Sequence, residues 1–303
     1  MSKRLPIGQR AAFLRRKLGQ WYDLNRRFLK NSVSRYAWYT ADIDYSTITQ
    51  KIYQEYAPCF VLSTGRCGTD FLAHVLEASP DLGVYQNPQP ELRFYKNEAH
   101  RTNAADSRVL EEIIKSSRFE IILAEYQKGR RYVETNNAIS FFAPQLAKLF
   151  PNSTFIHLIR HPGDFARSGM RRGWYTGTVE ADIGILTDAD DGDWDSYNRL
   201  TKIGWLWNET NRFIRDFSKT IDPDRFLLVR SEDMFRDQEV TLGIFAFLKA
   251  RPPSERQLRR LISRRVNAQI SGEMPRFEHW GRKEKDLLKR LLTLHETYGY
   301  RLM

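Results

Sequence analysis

Residues 59–76 set an apolar run, Cys59-Phe60-Val61-Leu62, ahead of Ser63-Thr64-Gly65-Arg66-Cys67-Gly68-Thr69-Asp70 and close with the helical pattern Phe71-Leu72-Ala73-His74-Val75-Leu76. Strand, glycine-bearing loop and helix in that order present backbone N–H groups and a helix N-terminus to an anion of phosphate type. A Walker A loop reads G-x-x-x-x-G-K-[ST]. Here Thr69 follows Gly68 directly, and the nearby cation, Arg66, precedes that glycine. The loop therefore suits an anionic nucleotide but not ordinary ATP hydrolysis.

A second segment narrows the choice. Thr154-Phe155-Ile156-His157-Leu158-Ile159 reads as a buried strand that ends at Arg160, and His161-Pro162-Gly163-Asp164-Phe165-Ala166-Arg167-Ser168 follows. Pro162 fits the first turn of a helix, where its missing N–H costs nothing. Ser168, Arg171 and Arg172 then share one helix face. A guanidinium fork at the strand end and a hydroxyl on the helix can hold a second phosphate from two sides.

The alternation continues along the chain. Strands are expected at 59–63, 131–134, 154–159 and 226–230, with a short one at Leu82-Gly83-Val84-Tyr85. Helices are expected at 69–78, 108–117 and 141–149, from Pro162, and at 198–218, 237–249, 254–264 and 282–297. Such alternation builds a parallel sheet, and open sheets of that kind bind ligands at the carboxyl ends of their strands. The expected fold is α/β: a P-loop-like parallel sheet flanked by helices, one domain over 46–303. Residues 1–45 are set apart by ten Lys and Arg against three Asp, with Leu14, Leu18, Trp21 and Phe28 in an approximate helical stripe. A basic amphipathic helix of this kind can lie on an anionic membrane surface or dock on the catalytic domain.

The two anion segments together resemble the PAPS-dependent sulfotransferases, of the carbohydrate (heparan-type) or bacterial branch. In that family a strand–loop–helix binds the 5′-phosphosulfate, and an Arg followed eight residues later by a Ser binds the 3′-phosphate. Arg131-Tyr132-Val133-Glu134-Thr135-Asn136-Asn137, Trp205-Leu206-Trp207-Asn208 and Leu228-Val229-Arg230-Ser231-Glu232-Asp233-Met234 extend the resemblance. It implies that Gly65, Arg66, Cys67, Gly68, Thr69 and Asp70 form the phosphosulfate loop, with Arg66 on the 5′-phosphate and the leaving oxygen. Arg160 and Ser168 fall to the 3′-phosphate, and PAPS is the co-substrate, with no metal. Asp70 stands where a hydroxyl residue is common, so its carboxylate is expected to point away from the phosphate.

For the base that takes the acceptor proton, the run Glu91-Leu92-Arg93-Phe94-Tyr95 is similar to the heparan-type enzymes and puts Glu91 first. Glu134, at a strand end facing the same cleft, is second. His161 reads as a turn residue. Departures are Asn87-Pro88 where many relatives have Glu-Pro, and Asn136 where the small-molecule branch has a His. A C-terminal Arg-Lys-Gly segment is also missing, for which Arg264, Arg265 or Asn267 could substitute. They favour a carbohydrate, polysaccharide or glycolipid acceptor over a phenol. The alternatives are a P-loop-type nucleotide kinase and a sulfotransferase for small alcohols or phenols.

Composition sets limits. The net charge of +11 suits an anionic ligand, though solubility alone accounts for it equally well. No nucleic-acid-binding module is evident. No apolar run approaches the roughly 18 residues of a membrane span, and no signal peptide is read. Two cysteines flanking one strand fit a reducing cytoplasm. The acidic stretch 180–195 fails the calcium-loop spacing and is expected to be a solvated loop near the acceptor entrance.

Overall fold

The computed structural model describes residues 44–102, 107–178, 182, 184–188, 190–263 and 274–302. The expected basic extension, apart from Asp44 and Tyr45, lies outside the described residues, as do Arg264, Arg265 and Asn267.

Helix α1 spans Tyr45–Gln54. Five parallel strands follow: β1 (Cys59–Leu62), β2 (Leu82–Gln86), β3 (Arg131–Thr135), β4 (Thr154–Ile159) and β5 (Phe226–Arg230), in spatial order β2-β3-β1-β4-β5. All five expected strands are present within a residue or so of their expected bounds. From β1 the chain goes to the edge strand β2, returns to insert β3 between β2 and β1, then crosses to build β4 and β5 on the other side. The β1/β4 seam is thus the point where the strand order reverses, and in open α/β sheets the ligand crevice opens there. Leu62 pairs with His157, so the two strand tips are neighbours.

Fully buried strands read as continuous apolar runs because both faces are covered. One face carries Cys59, Val61, Val133, Ile156, Leu158 and Val229. It packs on α2 (Thr69–Leu76), α9 (Gln238–Phe247) and α10 (Glu255–Ser263). The other face is aromatic: Phe60 lies 5.9–6.2 Å from Tyr132, Phe150 and Phe155, and Phe155 meets Phe217 at 4.9 Å. It is covered by α4 (Arg108–Gln127), α5 (Ala143–Leu149) and α7 (Arg199–Ser218). Between them come α3 (Lys96–Arg101) and α6 (Pro162–Arg171), while α8 (Ser231–Arg236) and α11 (Arg282–Leu291) complete the fold.

Three expectations need correction. The helix expected at 108–117 runs to Gln127, because Arg118 and Glu125 face inward as paired charges and break the apolar stripe that marks a helix in sequence. The helix expected at 282–297 stops at Leu291, where Thr293 N–H donates to Asn208 Oδ1 at 2.9 Å and draws the chain aside. The segment expected as a helix at 141–149 begins as a 3-10 turn at Asn137–Phe142.

Candidate active site

Ser63–Asp70, the anion loop, is held from several sides. Ser140 brackets Ser63: its Oγ accepts from Ser63 N–H at 2.9 Å and donates to Ser63 C=O at 3.0 Å. Gly65 N–H donates to Ser63 Oγ at 3.1 Å. The backbone turns through the left-handed region at Gly65 (φ 75°), Arg66 (φ 57°) and Gly68 (φ 87°). A Cβ on Gly68 would stand 2.5 Å from Phe235 Cζ, so both the turn and the close approach require glycine there. Arg66 takes this conformation without that freedom, at a cost of about 1–2 kcal/mol, and its neighbours fix it. The Ser231 hydroxyl contacts the Cys67 carbonyl and the Ile159 carbonyl, the latter at 2.8 Å, and so joins the loop to β4. The first N–H groups of α2 have no partner within the helix.

The second segment closes on the first. Arg160 Nη1 donates to the Arg66 carbonyl at 2.9 Å, and Arg66 Nε donates to Ser168 Oγ at 3.1 Å. Trp207 Nε1 donates to the Arg160 carbonyl at 2.9 Å and fixes the strand end. His161 caps α6, its Nδ1 accepting from Gly163 N–H at 3.2 Å while its own N–H donates to Glu232 Oε1 at 2.9 Å. The arrangement puts His161 in the strand-to-helix turn.

Burial, with the charges of Arg172 and Arg160, pulls the Arg66 guanidinium down to about 10, against the opposing pull of Asp70. Cations gathered about one point mark a place where an anion would be stabilised. Arg172 shares the Ser168 face, as its spacing in the sequence implies, and its charge acts on Arg66; the supporting contacts of Ser140, Ser231 and Trp207 were not legible in the sequence. Burial also lowers Arg167, and Arg171 and Arg276 contribute. Arg167 Nε donates to the Met274 carbonyl at 3.0 Å and ties α6 to the C-terminal part of the chain. Asp70 accepts from Gln86 Nε2, a contact directed to the tip of β2.

The two carboxylates differ sharply. Glu134 is wholly buried and has both oxygens engaged: Arg118 Nε and Nη2 donate at 2.8 and 2.9 Å, Tyr132 OH at 2.8 Å and Asn136 Nδ2 at 3.0 Å. Arg118 Nη1 then donates to the Pro90 carbonyl at 3.0 Å, one residue before Glu91. Glu91 has a side chain one-quarter exposed, pairs with Arg93 and accepts from Gln89 Nε2 at 2.9 Å. No hydrogen bond or ion pair among the described residues joins Glu91 to the anion loop. A cavity of about 870 Å³ lies elsewhere, along α5 and α7, and none of the anion-loop residues lines it. Among the described residues, no group of three or more His, Cys, Asp or Glu is arranged to hold a metal ion.

Residues 58–250 match the model of the sulfotransferase family. Among solved structures, the sulfotransferase domain from the curacin biosynthetic pathway is similar with TM-score 0.51 and 18% identity, over 82% of this chain and all of that one. The sulfotransferase STF9 from Mycobacterium avium is similar with TM-score 0.51 and 12% identity, over 85% of this chain and 80% of that one. At such identities the likeness is one of fold. A search of curated proteins finds no match.

Proposed function

The chain belongs to the sulfotransferase family, and from that premise we propose that it moves a sulfuryl group from PAPS to a hydroxyl of a carbohydrate, polysaccharide or glycolipid, releasing 3′,5′-ADP. The observation that carries this reading is the meeting of the anion loop and α6 through Arg66 and Ser168, 3.1 Å apart. One anion held at the β1 tip and another at the β4 tip suit a nucleotide with phosphates at both ends.

In this reading Gly65–Thr69 offer N–H groups to the 5′-phosphosulfate, and Arg66 lies against the bridging oxygen. Arg160 and Ser168 take the 3′-phosphate. The acceptor oxygen attacks sulfur in line, the new O–S bond forms as the bridging S–O bond breaks, and charge grows on the departing phosphate oxygen. Fixed cationic donors aimed at that oxygen stabilise it without reorganising. The acceptor proton passes to Glu91, whose exposure leaves it reachable. Glu134 has no free lone-pair direction of comparable access. Its part is to position: through Arg118 it holds the Pro90 carbonyl and so the base of the Glu91 segment.

The cytoplasm fits the two free, buried cysteines. Among the described residues no helix is long and apolar enough to cross a membrane, and contact with an anionic membrane surface is assigned to residues 1–45. The test is incubation with sulfur-labelled PAPS and a panel of saccharides, glycolipids, phenols and small alcohols, with calorimetry of 3′,5′-ADP binding. Labelled ester on a sugar hydroxyl is expected. Failure to bind 3′,5′-ADP at millimolar concentration would sink the reading.

A further inference from the structure

We propose that Asn137 grips the sulfuryl group itself, its amide donating to a non-bridging sulfur oxygen while that group passes from nucleotide to acceptor. This rests on the sulfotransferase reading and assigns a side chain to the oxygens on sulfur.

Two adjacent asparagines follow β3, and they differ. Asn136 is buried and committed at both ends: its Oδ1 accepts from Ala138 N–H at 3.0 Å, and its Nδ2 donates to Glu134 Oε1 at 3.0 Å. It caps the 137–142 turn. Asn137 opens that turn and is only partly buried. Its side chain lies on the anion loop: a Cβ on Gly65 would stand 3.3 Å from Asn137 Cγ and 3.4 Å from Asn137 Nδ2. No hydrogen bond among the described residues engages its amide, which reaches solvent. The turn that carries it is clamped to the loop by the paired hydrogen bonds between Ser140 and Ser63.

The order of the strands places this amide between the reacting partners. The sheet runs β2-β3-β1-β4-β5. The Glu91 segment follows β2, Asn137 follows β3, the anion loop follows β1, and Arg160 ends β4 with Ser168 on the helix beyond it. Read across the sheet tips, these are the acceptor base, Asn137, the 5′-phosphosulfate and the 3′-phosphate. A sulfur atom that leaves the loop for an oxygen beside Glu91 passes the tip of β3.

Charge is divided across the same line. Arg66 turns its Nε to Ser168, Arg160 donates to the Arg66 carbonyl, and the charge of Arg172 acts on Arg66, so the cations gather on the β4 side. On the β3 side, the side chain against Gly65 is neutral. As the bridging S–O bond breaks, its electron pair stays with the departing phosphate oxygen, and the oxygens on sulfur do not gain that charge. A cation on those oxygens would hold the bound donor as firmly as the transition state and give no acceleration. A neutral donor fixes the direction of the sulfuryl group for in-line attack and leaves the strong stabilisation to the leaving oxygen.

The experiment titrates wild type, N137A and N137D calorimetrically with 3′,5′-ADP and, without acceptor, with PAPS, two ligands that differ by the sulfuryl group. N137A should bind PAPS about 3- to 10-fold more weakly, the effect of one neutral hydrogen bond, and 3′,5′-ADP within about twofold of wild type. N137D keeps the side-chain shape but opposes the sulfuryl charge, so its loss for PAPS should exceed its loss for 3′,5′-ADP by at least about tenfold. Should N137A fail to fold, N137D decides by the same comparison. Equal losses for the two ligands would make Asn137 a support of the loop, and no loss would leave it outside the site; either result overturns the proposal. If wild type binds 3′,5′-ADP in that case, the sulfotransferase reading stands and the role of Asn137 alone falls. If wild type fails to bind 3′,5′-ADP, the donor assignment falls and takes Asn137 with it.

Discussion

Arg66 Nε donates to Ser168 Oγ at 3.1 Å, although 102 residues separate them in sequence. The bond exists because β1 and β4 pair in parallel from Cys59–Thr154 to Leu62–His157, which brings the structures at their carboxyl ends side by side. Arg160, at the end of β4, adds a second tie by donating to the Arg66 carbonyl at 2.9 Å. Two motifs that could have lain on separate surfaces form one site.

Replacing Arg66 by Ala is expected to lower turnover by roughly 10²–10³, the usual effect of removing one electrostatic stabiliser. Binding of 3′,5′-ADP should weaken less, since the bridging oxygen becomes charged mainly as the bond breaks. Single-turnover transfer from labelled PAPS measures the first and calorimetry the second. Unchanged turnover would refute the role given to Arg66.

Ser168→Ala removes one hydroxyl from the 3′-phosphate side. A hydrogen bond to a charged group contributes about 1.5–3 kcal/mol, so affinity for 3′,5′-ADP should fall by about 10- to 100-fold. Affinity for 5′-AMP, which lacks the 3′-phosphate, should barely change. Equal losses for both nucleotides would mean that Ser168 faces some other group.

Glu91→Gln and Glu134→Gln should part company. The first is expected to abolish transfer while leaving unfolding and 3′,5′-ADP binding as in wild type. The second leaves Arg118 buried beside a neutral amide and should lower stability by about 3–5 kcal/mol, as breaking a buried ion pair does. Denaturant unfolding and labelled-sulfate transfer on both variants decide it. A stable Glu134→Gln protein without activity would exchange the two assignments.

Lys96 gives stability a pH dependence of known sign. In the unfolded chain it keeps its proton up to 10.5, and in the folded protein burial makes it release the proton near 8. Between those values the unfolded state binds more protons, so stability rises with pH. Below about 8 the burial penalty stands in full, and above 10.5 it is gone. Relative to K96M, wild type should carry a deficit of about 3 kcal/mol at pH 7 that closes as pH rises through this window. Urea unfolding of both proteins at pH 7, 9 and 10.5 measures the gap, since other titrating groups are common to the pair. A gap that stays constant contradicts the assignment.

Much of the fold could be read from local pattern. The strand-loop-helix at 59–76 and the strand ending at Arg160 are contiguous signals, each written in residue types within a few positions of one another. Elements whose inward face is charged could not be read so well. Helix α4 was expected to end ten residues early because Arg118 and Glu125 occupy core positions and mimic a solvated surface. Helix α3, Lys-Asn-Glu-Ala-His-Arg, has no apolar stripe at all and forms by packing on the 137–142 turn. The sequence shows Glu134 as a carboxylate at a strand end, and the tertiary structure brings Arg118 from α4 to engage it.

The sequence by itself determined the order of strands and helices and the two loops built to face an anion, since these depend on backbone freedom, apolar periodicity and neighbours close along the chain. Tertiary structure alone decided which charges meet. Arg118 reaches Glu134, Arg160 reaches the Arg66 carbonyl, and Lys96 is left without a counter-charge. Whether a buried ionisable group is a strut or a stabiliser depends on what other segments bring within about 4 Å of it, and chain order does not carry that distance.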